Sequence, residues 1–328
     1  MKAIVWTKYG SPDVLQLKEV EIPTPRGNEV LIKVHAATVT IADCEIRRMK
    51  GPILFMLAFR IYMGFIKPKR ITILGQELAG EIEAVGREVT KFKKGDPVFG
   101  PCLLRLGAYA EYACLPEKYP VLKPAGITYE EAATIPTGGI NGLDFLRTGN
   151  VQAGENILIN GAGGSIGTYA LQIAKILGAK VTCVDSAEKL DMLSSIGADH
   201  VIDYKKEDFT RNGETYDVII DVIGKSPFSR SVSSLKTNGR YILGNPDLSA
   251  RIRARWTPMT SGKKVIVALA SFKTEYYSFL KELIEAGRIK AIIDRRYPLE
   301  RVAEAHRYVD AGHKKGNVVI TVEHERGT

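Results

Sequence analysis

Cysteine is scarce: four stand at positions 44, 102, 114 and 183 of a 328-residue chain, none of them in a Cys-x-x-Cys pair. That excludes a disulfide framework and a cysteine-rich zinc lobe, and it fits a reducing compartment. Long apolar runs are missing too. The strongly apolar stretch 52–66 (PILFMLAFRIYMGFI) has 15 residues and carries Arg60, too short and too charged to span a bilayer. After Met1-Lys2-Ala3-Ile4-Val5-Trp6 the chain turns polar with no signal-peptide core, so a cytoplasmic protein is expected. The net charge is +9, yet Lys and Arg are scattered, with only short pairs such as Arg47-Arg48 and Lys314-Lys315. No aromatic-interleaved basic stretch offers itself to nucleic acid. No repeat, low-complexity tract or long linker is visible.

What is present divides in two, as the length suggests. The first 120 residues read as short strands (16–22, 29–34, 81–85, 97–99, 108–113) punctuated by Gly and Pro, the pattern of a small barrel-like domain. After Pro124, strand-like runs at 156–159, 180–184, 200–203, 217–220, 240–243 and 264–269 alternate with helical patterns. That alternation predicts a doubly wound parallel sheet of Rossmann type. The tail reads as a helix at 274–286, a strand at 289–293, a helix at 299–309 and a strand at 317–322. The expected domains are 1–124 with 273–328, and 125–272.

The strongest chemical signal is Gly161-Ala162-Gly163-Gly164-Ser165-Ile166-Gly167, between an apolar strand and an amphipathic helix. Such a turn lets backbone amides approach a pyrophosphate at the positive end of the helix. Asp185 ends the next strand, where a carboxylate accepts from the adenosine ribose hydroxyls, which favours NAD(H); its alternative role is a helix cap, which Ser186 supplies equally well. Ser186, Lys189 and Tyr204 form the opposite pattern, a 2′-phosphate site that favours NADP(H). The two readings stay open. Asp221, Gly224, Gly244 and Asn245 fall at strand ends, where doubly wound sheets bind ligands.

The order of motifs resembles the zinc-independent quinone oxidoreductase branch of the medium-chain dehydrogenase/reductase superfamily over nearly the whole chain. The matching blocks are Met1-Lys2-Ala3, Gly75-Gln76-Glu77-Leu78-Ala79-Gly80-Glu81, Gly95-Asp96-Pro97-Val98-Phe99-Gly100, Gly107-Ala108-Tyr109-Ala110-Glu111-Tyr112, Ala132-Ala133-Thr134-Ile135-Pro136, Ile196 to Tyr204 and Gly312 to Val319. The resemblance implies an α/β protein with a Rossmann domain inserted in a β-rich GroES-like barrel domain, and a homodimer. It places Thr137 and Asn317 at cofactor contacts, the latter often a lysine, and the candidate catalytic residues are Thr40, Asp43 and Tyr62. Where zinc-dependent relatives carry a cysteine and a histidine, this chain has Thr40 and Gln76, and neither a hydroxyl nor an amide is a tight zinc ligand. Zinc is not expected. The function implied is NAD(P)H-dependent reduction of a quinone or α,β-unsaturated carbonyl; the alternatives are a zinc-free alcohol or aldehyde reductase and a cofactor-binding protein without turnover. No histidine is placed as a general acid. Stretch 52–66 is expected to be a lid packing its apolar face on the protein, with a membrane-surface contact as its alternative.

Overall fold

In this computed structural model the described residues are all but 51–52, 245–248, 250–252, 255–261, 269–273 and 325–328. An antiparallel pair, β1 (Lys2–Trp6) and β2 (Leu15–Glu19), precedes β3 (Glu29–Thr38). Then come α1 (Ile41–Arg48), α2 (Ile53–Met63), β4 (Glu77–Val85), β5 (Pro97–Pro101), β6 (Tyr112–Pro116), β7 (Val121–Leu122) and α3 (Tyr129–Ala133). The β3 side chains are buried on both faces, and the strand pairs with β4 along most of its length and with β6 along its first half.

The second stretch runs α4 (Ile140–Thr148), β8 (Asn156–Asn160), α5 (Ser165–Ile176), β9 (Lys180–Asp185), α6 (Ala187–Ser195), β10 (His200–Asp203), β11 (Tyr216–Asp221), α7 (Phe228–Ser233), β12 (Leu235–Gly244), β13 (Lys264–Ala268) and α8 (Thr274–Glu285). All pairings among β8 to β13 are parallel, in the order β10-β9-β8-β11-β12-β13. That is the doubly wound order 3-2-1-4-5-6, with its reversal beside the first strand. Leu158, Val184, Ile219, Tyr241 and Leu243 form part of its core.

The chain then returns to the first unit with β14 (Ile293–Pro298), α9 (Val302–Asp310) and β15 (Asn317–Thr321). Strand β15 pairs antiparallel with β3 and parallel with β14, completing a seven-stranded sheet whose core includes Ile32, Leu78, Val302 and Val318. The two units are 1–136 with 293–328, and 137–292, so both expected boundaries move later. The reason lies in packing. Residues Tyr129–Ala133 stay with the first unit, where Tyr129 stacks on His35 at 4.5 Å between ring centres. Helix α8 stays with the second, where Arg147 of α4 lies over Tyr276 and Phe279.

Two strands differ from expectation. Stretch 289–293 is not a strand; it begins only at Ile293, because the Gln172 amide takes both the N–H and the C=O of Lys290, at 2.9 and 3.0 Å. Residues 108–110 hydrogen-bond instead to Leu74, Gly75 and β1, so β6 starts at Tyr112.

Candidate dinucleotide site and a buried carboxylate

Strand β8 is fully apolar through 157–159 and buried, and it ends at Asn160, after which the chain turns sharply into α5. Gly161 takes φ +83°, a backbone region costly for residues with a Cβ. A Cβ on Gly167 falls 2.5–2.6 Å from the backbone of Ala162, so the helix and the turn touch backbone to backbone. Gly164 differs: its nearest neighbour for an added Cβ is the Gly161 carbonyl at 3.7 Å. First-turn amides of a helix have no intrahelical acceptor, and Gly164 and Ile166 in this turn are half-exposed. Thr137 belongs here as well. It lies in a π-helical turn, 135–139, and an added Cβ on the next residue, Gly138, falls 3.0 Å from the Ser165 carbonyl.

Asp185 and Lys189, read from sequence as rivals, are partners. The Lys189 Nζ lies 2.9 Å from Asp185 Oδ1, with side-chain exposures of 10% and 7%. The same carboxylate accepts the N–H of Gly163 at 2.8 Å and that of Ser186 at 2.8 Å. Asp185 therefore ties the second strand of the sheet to the glycine turn. Ser186 stands at the helix cap of α6 but makes no side-chain cap bond. Tyr204 is 57% exposed, and its N–H reaches the Asp185 carbonyl.

Asp221 corrects expectation. It is fully buried and accepts from Asn160 Nδ2, the N–H of Gly224, the N–H of Ser226 and the Tyr241 hydroxyl, at 2.9–3.1 Å. Its oxygens are saturated, which makes it a hub holding the ends of β8, β11 and β12 rather than a ligand contact. Gly244 ends β12 against the Phe145 ring, and Asn245 lies outside the described residues. Asn317 is buried at the start of β15 in the first unit.

The candidate catalytic residues divide. Thr40 caps α1, its hydroxyl accepting from the Asp43 N–H at 3.2 Å and donating to Asp43 Oδ2 at 2.6 Å, while the Thr40 N–H reaches the same oxygen at 2.9 Å. This capping box explains the local fold. The Gln76 amide donates to the Thr40 hydroxyl at 3.1 Å. Tyr62 does not join them: it is 41% exposed, and the Arg70 guanidinium stacks 4.2 Å over its ring. Buried His306, with Cys44 Sγ 3.3 Å from its Nδ1, is held neutral with a pKa pushed down to about 3 by burial.

Burial raises the Asp43 carboxyl from 3.8 to about 6, against the hydrogen bonds from Thr40. Its Oδ1 is buried with no hydrogen-bond partner. A carboxyl with a raised folded-state pKa contributes stability that is complete below about pH 4 and lost as pH rises through 6, here about 3 kcal/mol. Urea denaturation at about pH 4 and pH 7 is expected to show this slope in the wild type and a slope flatter by about that amount in Asp43→Asn. An unchanged slope removes Asp43 as its source.

Family models match in both units: the alcohol dehydrogenase GroES-like domain at residues 26–125 and the zinc-binding dehydrogenase at 196–320. The chloroplast envelope quinone oxidoreductase homolog of Arabidopsis thaliana is 31% identical over 98% of both chains. The chain belongs to the quinone oxidoreductase branch of the medium-chain dehydrogenase/reductase superfamily. Another branch relative, the chloroplastic NADPH-dependent alkenal/one oxidoreductase of the same plant, is 33% identical over 98% of this chain and 79% of its own. The quinone oxidoreductase of Escherichia coli, solved with NADPH, superposes with a TM-score of 0.84 at 26% identity, covering 98% and 100% of the two chains. The cytoplasmic expectation is overturned: these plant relatives are chloroplast proteins, and a polar N-terminus does not discriminate.

Proposed function

We propose that this quinone oxidoreductase family member reduces a quinone or an α,β-unsaturated carbonyl compound with NADPH or NADH, without zinc. The observation that carries the reading is the glycine turn on α5, whose one uncrowded glycine, Gly164, is half-exposed at the start of the helix. A pyrophosphate fits there, with Thr137, Asp185, Lys189 and Tyr204 as the further proposed contacts. The bound nicotinamide supplies the hydride. Zinc independence is supported by Thr40 and Gln76, which bond to each other at 3.1 Å and are weak zinc donors. A carbonyl not polarised by metal must already be activated, as enones and quinones are. Thr40 and Asp43 are the proposed residues beside the substrate oxygen, and the Thr40 hydroxyl, which here gives its proton to Asp43 Oδ2, must turn from that carboxylate to donate to substrate; the exposed Tyr62 is left out. Association as a homodimer belongs to the same proposal, on family resemblance.

The test is a fluorescence titration with NADPH and NADH, followed by turnover on enones, quinones and saturated aldehydes. Expected are binding in the micromolar range and a rate for enones or quinones at least about tenfold above that for aldehydes. A preference for saturated aldehydes moves the reading to an aldehyde reductase. Binding without turnover on any of them leaves a cofactor-binding protein.

A further inference from the structure

Apart from Arg60, helix α2 is apolar around its circumference, and such a helix is ordinarily buried on most sides. Among its described side chains only Phe59 and Met63, one turn apart, face the core. The opposite face is in solvent: Leu57 is 46% exposed and Ile61 71%, and they are followed by Phe65 at 61% and Ile66 at 85%. The expected lid packing is therefore not what the fold adopts.

The turn after α2 holds these side chains out. The Met63 carbonyl accepts from the N–H groups of Lys69 and Arg70, Gly64 N–H bonds to the Arg60 carbonyl, and the Tyr9 hydroxyl caps the Gly64 carbonyl. Phe65 and Ile66 project from a backbone fixed at both ends. Beside them Lys67, Lys69 and Arg70 are exposed, with no acidic partner among the described residues. Positions 46–76 contain seven Lys or Arg and not one Asp or Glu.

We infer that α2 and the 64–70 turn dock on an anionic lipid bilayer surface, Leu57, Ile61, Phe65 and Ile66 entering the interface and Lys67, Lys69 and Arg70 meeting the headgroups. Apolar side chains ringed by cations on one short element match an interface of that composition. No helix among the described residues is long enough to cross a membrane, so the contact is peripheral. A second copy fits worse, because a two-fold contact through this patch sets its cations against their own images. The inference is independent of the proposed chemistry.

Flotation of the full chain tests it, with vesicles of phosphatidylcholine alone or with about 30% phosphatidylglycerol, at about 50 and 500 mM salt. Expected is binding to the anionic vesicles at low salt, weakened at least about tenfold by high salt or neutral lipid. The double variant Phe65→Asp/Ile66→Asp and the triple variant Lys67→Gln/Lys69→Gln/Arg70→Gln should each lose about tenfold or more, with unchanged melting temperature and unchanged NADPH fluorescence. Absence of wild-type binding to anionic vesicles overturns the inference, as does binding that both variants retain. If Phe65→Asp/Ile66→Asp instead splits an oligomer in sedimentation while no vesicle binding is seen, the patch is a self-association surface.

Discussion

Gly167→Ala is expected to damage the fold and Gly164→Val to damage only the ligand site. At Gly167 a single methyl collides with the Cα, C and O of Ala162 at 2.5–2.6 Å. Backbone cannot rotate aside as a side-chain tip can, so α5 must lift from its turn, at a cost of about 3 kcal/mol, the upper part of the overpacking range. For a unit of this size that is a fall in melting temperature of about 6–12 °C. At Gly164 the backbone is extended, φ −92° and ψ −178°, and an added Cβ makes only an ordinary contact, 3.7 Å to the Gly161 carbonyl, so Val fits the protein. It does not fit a pyrophosphate resting on the first-turn amides. Gly164→Val should melt within about 2 °C of wild type yet bind NADPH and NADH at least about tenfold more weakly. If Gly164→Val binds both normally, the diphosphate does not lie on this turn, and the proposed function loses its support.

The doubly wound sheet was legible because each strand is a short β-branched run separated from the next by a helical period, and that signal is local. Where the chain departs from expectation, the cause is a partner far away in sequence. Gln172 denies Lys290 its ladder bonds, and β1 occupies residues 108–110 before β6 can start. The site shows the same division. The glycine turn and Asp185 could be placed from spacing, whereas Thr40 and Asp43 were marked only by the family resemblance. Asp221 was placed correctly at a strand end, but its saturation by Asn160, Gly224, Ser226 and Tyr241 depends on three segments converging. For stretch 52–66 the periodicity had no information to give. A helix apolar on every side does not say which side the core will take, and the exposed half became visible only once Phe59 and Met63 were seen to be the buried ones. The Asp185–Lys189 pair was legible in principle, since i and i+4 straddling a helix start bring opposite charges together. Taken singly, Asp185 fits a ribose contact and Lys189 a 2′-phosphate contact, and that hides the pair.

In the proposed site, cofactor choice turns on that pair. The Asp185 carboxylate offers about four acceptor sites, and Gly163, Ser186 and Lys189 use three. A ribose diol can take the remaining one without disturbing Lys189. A 2′-phosphate must draw the ammonium toward itself, because the carboxylate alone repels it. Lys189→Met, which keeps the buried stem and removes the charge, is therefore expected to weaken NADPH by about 10- to 100-fold, the equivalent of one charge-assisted hydrogen bond, and NADH by about threefold or less. Asp185→Ser should move the NADPH to NADH affinity ratio the other way, upward by about tenfold, as the repulsion is lost. Both substitutions break a buried ion pair, and Lys189→Met leaves the carboxylate with only two N–H donors, so each should destabilise by about 3 kcal/mol or more. Binding is accordingly compared as a ratio of the two nucleotides on each variant, in which a general loosening of the turn cancels. Equal losses for NADPH and NADH in Lys189→Met would mean that the lysine only locks Asp185 to the glycine turn, and that selection between the two nucleotides lies elsewhere.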